Sequence, residues 1–284
     1  MESVATETPR SWLTPPDGQR SPAEMFDQFF AMQDEFNDGQ CHQGYWYDEQ
    51  DRTSMIEASR RLTRKAADSL RLRPGERLLD VGCGLGAPAI QLASEYGVRV
   101  TGVNFSVGQI AEAQARAEKA GLTGQVSFRS INFSALDFTD GSFDAMVAME
   151  SLVYVNDLVE ALRGLHRVLR PGGRLAVTEP TREGLGVVAA GRFATRSGAN
   201  YLLSVPEWLD ALREAGFELV EYLQCGSRVV GMGPRYLEDL DSRRDELVAR
   251  FGPARVDEHR RAMASYFVEA ADRIGYAVIT VRKP

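Results

Sequence analysis

The sequence predicts an α/β fold, a doubly wound and mostly parallel seven-stranded sheet with a helical lid. Three observations carry this expectation. From residue 77 onward, short apolar runs alternate with stretches long enough for helices, the pattern of a parallel sheet covered on both faces. The first apolar run ends in a glycine-rich turn, Gly82-Cys83-Gly84-Leu85-Gly86, that leads into a helix. Two further helical segments interrupt the alternation before the last strand and read as lid.

Element by element, residues 1–20 contain Pro9, Pro15, Pro16 and Gly18 and read as a loose tail. A first helix is expected over 22–36, with Met25, Phe26, Phe29 and Phe30 on one stripe, stopped by Asn37-Asp38-Gly39. Ser54 and Glu57 have the spacing of a capping box for a second helix ending near Leu70. The excess of basic residues over 52–77 reads as a solvated face. Strands are expected over 77–81, 98–103, 126–131, 143–149 and 174–178. The helices between them cover 86–96, Ser106 to about 120, and 157–169, the last closed by Pro171-Gly172-Gly173. A Gly- and Ala-rich stretch over 184–200 precedes a helix over 206–215 and a strand over 217–223. Helical segments over 234–250 and 255–274 lead to a last strand over 276–281 that closes the sheet. The chain then divides into a tail (1–20), an N-terminal helical lid (21–70), a ligand-binding core (71–231), a lid insertion (232–274) and a closing strand (275–284).

Composition excludes several functions. The 284 residues carry 33 basic against 40 acidic side chains, a net charge of −7, which argues against nucleic acid as a partner. No apolar run approaches the roughly 20 residues of a membrane-spanning helix, so no membrane partner is expected. The polar, acidic N-terminus is unlike a secretory signal. Cys41, Cys83 and Cys225 are odd in number and far apart. They suggest a reducing cytoplasm, and they offer no zinc spacing, so no metal site is expected.

The glycine loop lets a ligand touch bare backbone. Read as Gly82-x-Gly84-x-x-Ala87, it would also suit a dinucleotide enzyme. Three neighbours move the balance. Asp80 stands just before the glycines, where a carboxylate can meet a cationic group. Asn104 ends the second strand, where a ribose diol needs a partner, and Phe105 can lie against a base. Asn132-Phe133 ends the third strand and can read an adenine edge. With adjacent strands, all three share the carboxyl edge of the sheet, where ligands bind.

With these motifs the chain resembles the class I S-adenosylmethionine-dependent methyltransferases, in their small-molecule, natural-product-tailoring branch. The resemblance rests on LLDVGCGLG (78–86), VTGVNFS (100–106) with Gln109, SINFSALDF (130–138), DGSFDAMVAMESLVYV (140–155) and LRPGGRLAVTEP (169–180). It implies a Rossmann-like methyltransferase fold with S-adenosylmethionine as cofactor. Asp80 and the backbone of Gly82, Cys83, Gly84 and Gly86 would hold the methionine end, and Gln109 its carboxylate. Asn104 would bind the ribose, Phe105 would pack on adenine, and Asn132 and Phe133 would read its amino edge, with Met149 beside the cofactor. His42-Gln43-Gly44-Tyr45-Trp46 resembles the branch's cofactor cover, in which Tyr45 and Trp46 close over the sulfonium. Asn104 and Asn132 both stand where an acidic residue is commoner in the family.

Methyl transfer needs nucleophile, carbon and sulfur nearly in line, and a hydroxyl nucleophile usually also needs a base. The candidates are His259, His42, Glu150 and Tyr154. His259 shares a helical face with Met263, Tyr266 and Phe267, so a core histidine is the alternative reading. Tyr154 occupies the place where related enzymes often carry histidine, and a phenol positions better than it accepts protons. Glu150 lies at the mouth of the site and would orient substrate, steady the cofactor or act as base if desolvated; the alternative is a capping carboxylate that supports the site from behind. Phe26, Phe29, Phe30, Trp46, Tyr201 and Tyr236 suit a largely apolar small-molecule acceptor or pack lid to core. The expected reaction is methylation of a small, secondary-metabolite acceptor on O or N. The alternative is a cyclase on the same fold that retains the cofactor as scaffold. A non-catalytic binding protein and a nicotinamide oxidoreductase are weaker readings. A homodimer is admitted as the only macromolecular partner.

Overall fold

The structure, a computed structural model, describes residues 36–131, 136–183, 201–269 and 273–284. The expected tail, nearly all of the helix over 22–36, and the Asn132-Phe133 pair lie outside the described residues.

Seven strands form one sheet in the order β3-β2-β1-β4-β5-β7-β6. They are β1 (Arg77–Val81), β2 (Arg99–Asn104), β3 (Val126–Ser130), β4 (Phe143–Met149), β5 (Leu169–Arg182), β6 (Glu218–Gln224) and β7 (Ile274–Arg282). The first five pair in parallel, and β7 runs antiparallel to both β5 and β6. The last strand therefore lies inside the sheet, not at its closing edge. Eight of its nine residues are buried, whereas β6 is almost wholly exposed and takes the edge.

The helices follow their sequence signals. Helix α1 (Met55–Leu70) is capped by Ser54, whose hydroxyl accepts from the Glu57 N–H. The Glu57 carboxylate does not complete the box; it pairs with Arg64 at 2.7 Å. Helix α2 (Ala87–Tyr96) starts from Gly86, and α3 (Val107–Lys119) is capped by Ser106. Helix α4 (Leu158–Val168) is capped by Asp157, and α5 (Val205–Glu214) by a complete Ser204–Glu207 box. Alternation along the strands sends Leu78 to one face of the sheet and Leu79 to the other. The first face is covered by α1, α2 and the lid through Leu62, Ala66, Leu92 and Tyr236; the second by Leu162, Leu165, Trp208 and Leu212 of α4 and α5. Helix α1, grouped with the lid from sequence, thus packs directly on the sheet.

Beyond β6 come α6 (Gly233–Ser242), α7 (Arg244–Phe251) and α8 (Pro253–Ala264), then a π turn over Ser265–Glu269. The helix expected over 234–250 breaks near Arg243. The one expected to end at 274 stops earlier, because Ile274 already pairs in β7. Helix α6 and Arg243 just after it hold the start of the segment before α1 and the first turn of α1. Arg243 donates to the Phe36 carbonyl at 2.9 Å, the Met55 N–H donates to Asp239 at 3.1 Å, and Phe36 stacks edge-on against Tyr236. Among the described residues no helix is long and apolar enough to cross a membrane.

Candidate active site

The carboxyl ends of β1, β2 and β4 converge on the glycine loop. The N–H groups of Gly82 and Cys83 both donate to the Val103 carbonyl, at 2.8 and 3.0 Å. Gly82 has φ +76°, and a Cβ there would stand 2.3 Å from the Cβ of Ser151. Gly86 has φ +81°, and its Cβ would stand 2.6 Å from the Phe128 ring. Neither place admits a side chain, so the loop offers bare backbone to a ligand. The Cys83 thiol is buried, and burial pushes it well above its usual range, so it stays protonated and packs.

Beneath the loop lies Asp80. It is buried, its Oδ2 has no partner among the described residues, and burial pushes its carboxyl up to about 7. An unpaired buried carboxyl is a receptor for a cationic or N–H group. Asn104 closes β2 and donates to the Oε1 of Gln109 at 2.5 Å, while its own Oδ1 accepts from the Phe105 N–H at 2.9 Å. That leaves the Gln109 amide Nε2 buried without a partner among the described residues. The Phe105 ring is 45% exposed at the same edge. These unsatisfied polar groups and the bare loop fit an amino-acid-bearing nucleoside.

The segment before α1 crosses this cleft. Cys41 lies against Gly84, where a Cβ would stand 3.2 Å from its Sγ, and the Gln43 N–H donates to Glu150 at 2.7 Å. Cys41 is thus set on the loop at Gly84. Trp46 is buried and donates from Nε1 to the Thr53 carbonyl at 3.0 Å. Tyr45 donates its N–H to the Ala58 carbonyl, and the Lys65 ammonium stands 5.3 Å from its ring centroid. Both rings fix the segment to its surroundings.

The two candidate histidines are also built into the scaffold. His42 uses both ring nitrogens, Nδ1 with the Gln43 carbonyl at 2.8 Å and Nε2 with Gln40 and Thr63 at 3.0 Å. His259 faces the Tyr236 hydroxyl at 3.0 Å inside the lid. Burial lowers both to about 4, so they are neutral at pH 7, and their bonding ties segment to helix and helix to helix. The alternative reading of His259 as a core histidine agrees with this placement.

The reactive chemistry gathers at the end of β4. Met149 is buried and pairs with Thr178, and Glu150 follows with φ +49°. A left-handed backbone at a non-glycine residue carries a cost of about 1 kcal/mol or more and draws attention to function. Among the described residues Glu150 takes both of its side-chain hydrogen bonds on Oε1, from the Gln43 N–H and from the Tyr276 hydroxyl at 2.8 Å. Burial raises its carboxyl to about 7, and the two donors hold it from rising further. Glu179 on β5 accepts from the N–H groups of Ser151 and Leu152, at 3.1 and 2.9 Å, and so grips the turn that follows Glu150. Its own carboxyl is pushed well above the usual range by burial, and then by Glu150. Tyr154 stays protonated for the same reasons, burial first and the two carboxyls after it.

Sequence reading assigned no role to Glu179, Tyr276 or the Gln43 backbone. Glu179 was visible within the motif over 169–180, but only the β4–β5 register, Met149 against Thr178, brings it to Glu150. Tyr276 is 126 residues from Glu150 in sequence, and nothing short of the sheet order joins them.

Comparison with known proteins agrees with this geometry. A profile for the methyltransferase domain matches residues 79–177, from within β1 to within β5. The chain is 34% identical over 263 residues to the 27-O-demethylrifamycin SV methyltransferase of Amycolatopsis mediterranei, covering 91% of this chain and 95% of that one. It is 38% identical over 212 residues to the O-methyltransferase resE of Aspergillus sclerotiorum, covering 72% and 78%. Its fold superimposes on the crystal structure of the 4+2 cyclase SpnF with a TM-score of 0.80 and 34% identity, over 96% of this chain and 99% of that one. With the bare glycine loop, the unpaired Asp80 and matches that run nearly end to end, the chain belongs to the S-adenosylmethionine-dependent methyltransferases of the natural-product-tailoring type.

Proposed function

We propose that the chain methylates a hydroxyl group of a small secondary metabolite, with Glu150 accepting the hydroxyl proton. The observation that carries this is the state of Glu150. Its Oε1 is filled by two donors, its Oε2 is left for a ligand, and its carboxyl titrates near neutrality beside the glycine loop. Both methyltransferase relatives described above act on oxygen by name. A base poised near the working pH suits a hydroxyl acceptor, which must lose its proton as it attacks.

Bound at the carboxyl edge, the cofactor supplies an electrophilic methyl group on sulfonium. Asp80 receives its ammonium, the backbone of Gly82, Cys83, Gly84 and Gly86 lies along its methionine end, and the Gln109 Nε2 meets its carboxylate. Asn104 takes the ribose hydroxyls and Phe105 covers the base; Asn132 and Phe133 keep their assignment to the adenine edge, and Met149 lines the pocket wall. Tyr154, held protonated, positions the acceptor by hydrogen bonding. Tyr45, Trp46, His42 and His259 support the cover without touching the reacting atoms.

The test is incubation with methyl-labelled S-adenosylmethionine and hydroxylated secondary metabolites, 27-O-demethylrifamycin SV among them. Labelled ether product is expected. Glu150→Gln should lower kcat by about 10²–10³-fold while leaving cofactor affinity intact. Undiminished turnover by that variant would remove Glu150 as base, and no labelled product from any hydroxyl acceptor would remove the O-methylation reading.

The similarity to SpnF favours a second reading, a cyclase that keeps its cofactor as scaffold. The two differ in stoichiometry, since methyl transfer consumes one cofactor per product and cyclisation none. Three free cysteines among the described residues support the cytoplasm as location. A second copy of the chain is kept as a proposed partner, to be read by sedimentation equilibrium. Leu219, Tyr222 and Leu223, exposed on edge strand β6, give such a contact its apolar surface.

A further inference from the structure

We propose that Tyr276 is a positioning residue for this reaction: its hydroxyl fixes one oxygen of Glu150 so that the other faces the acceptor, and it keeps that carboxyl ionisable. The inference rests on Glu150 as the proton acceptor.

The geometry runs through three elements. Strand β7 enters the sheet antiparallel beside β5, with Tyr276 opposite Pro180. The phenol is fully buried and reaches across to the Glu150 Oε1 at 2.8 Å. From the other side the Gln43 N–H donates to the same oxygen at 2.7 Å. Two donors on one oxygen set the rotation of the carboxyl, and among the described residues none bonds the second oxygen. Glu179 grips the N–H groups of Ser151 and Leu152 and holds the strained backbone of Glu150 from below. The frame therefore fixes both the backbone and the carboxyl plane.

The electrical surroundings make the phenol matter. The groups facing Glu150 are Glu179 from β5, Tyr154 from the turn after β4, Tyr266 from the π turn and Tyr276 from β7, with Cys41 of the crossing segment beside Tyr154. Among the described residues no basic side chain stabilises the Glu150 carboxylate; its support is the Gln43 N–H and the Tyr276 hydroxyl. Removing the phenol O–H takes a donor from the charged form, so the carboxyl must rise.

The test is a titration of Glu150 in protein carrying carboxyl-13C glutamate, followed by NMR without acceptor. Glu150→Gln identifies the resonance. In the wild type the midpoint is expected near 7. In Tyr276→Phe, which keeps the ring, it should rise by about one unit. At pH 7 the ionised fraction then falls from about one half to about one tenth, a deficit in kcat/KM of about fivefold that disappears above about pH 9. Binding of S-adenosylhomocysteine should stay within about twofold of the wild type, since the phenol does not touch the cofactor loop. A midpoint that does not move, or that falls, overturns the proposal. Should the variant lose S-adenosylhomocysteine binding, the same midpoint is read in protein grown with 3-fluorotyrosine. Its stronger phenol donor should lower the midpoint, and an unmoved value again overturns the proposal. Failure of the underlying reading is distinct: it shows as undiminished turnover by Glu150→Gln.

Discussion

Gly82 shows how one residue can decide cofactor binding. A methyl group there would meet Ser151 at 2.3 Å in a backbone of φ +76°. Gly82→Ala is expected to weaken S-adenosylhomocysteine binding by at least tenfold, measured by calorimetry, because the loop must move away from Ser151 to accept it. His259 makes the opposite case. Its pairing with Tyr236 belongs to the lid interior, so His259→Gln should leave kcat within about twofold at saturating cofactor. It should also lower stability by about 1–2 kcal/mol, read from urea unfolding. A kcat loss of a hundredfold with stability intact would restore the histidine to catalysis. At this scale the sequence was readable where chemistry is local. Asp80 stands in β1 just before the glycine turn, and Asn104 closes β2, as their local signals suggest. Glu150 was readable as a candidate, but its partners were not, since Tyr276 and Glu179 reach it only through strand neighbours.

At the scale of elements, caps and turns carried most of the information. Ser54, Ser106 and Asp157 each start a helix where a short polar side chain precedes an apolar period. The Ser204–Glu207 box adds the reciprocal bond from the Ser204 N–H to the Glu207 carboxylate at 2.7 Å. Ser204→Ala should cost about 1 kcal/mol and a few degrees of Tm, measured by calorimetric melting. Strand order was not readable. Both β6 and β7 follow turns and have apolar residues, and only burial on both sheet faces sends β7 inside and β6 to the edge. The lid was harder still. The helix expected to run to 274 ends early because pairing with β5 claims Ile274, a long-range contact with no local signal.

For the whole molecule, three buried acids, Asp80, Glu150 and Glu179, link stability to pH. Asp80 and Glu150 each titrate near 7 in the fold, above the ordinary values of 3.8 and 4.5. A carboxyl whose folded pKa is raised favours the fold most when protonated. Its contribution therefore declines as pH rises from about 4 through about 7 and is constant above. For Asp80 alone the interval amounts to roughly 4 kcal/mol. The ligand-free protein should thus melt at lower temperature at pH 8 than at pH 5.5, and Asp80→Asn should flatten that slope. A melting temperature that does not fall over this range would contradict the buried, unpaired state of Asp80.

Asp80 and the glycine loop together form the proposed receptor for the methionine end of the cofactor. Isothermal titration of S-adenosylhomocysteine into wild type and Asp80→Asn at pH 8 tests it. One site per chain is predicted in the wild type, with affinity at least tenfold weaker in the variant and unfolding still cooperative. Equal affinity in the two proteins, or no heat of binding in the wild type, would contradict it.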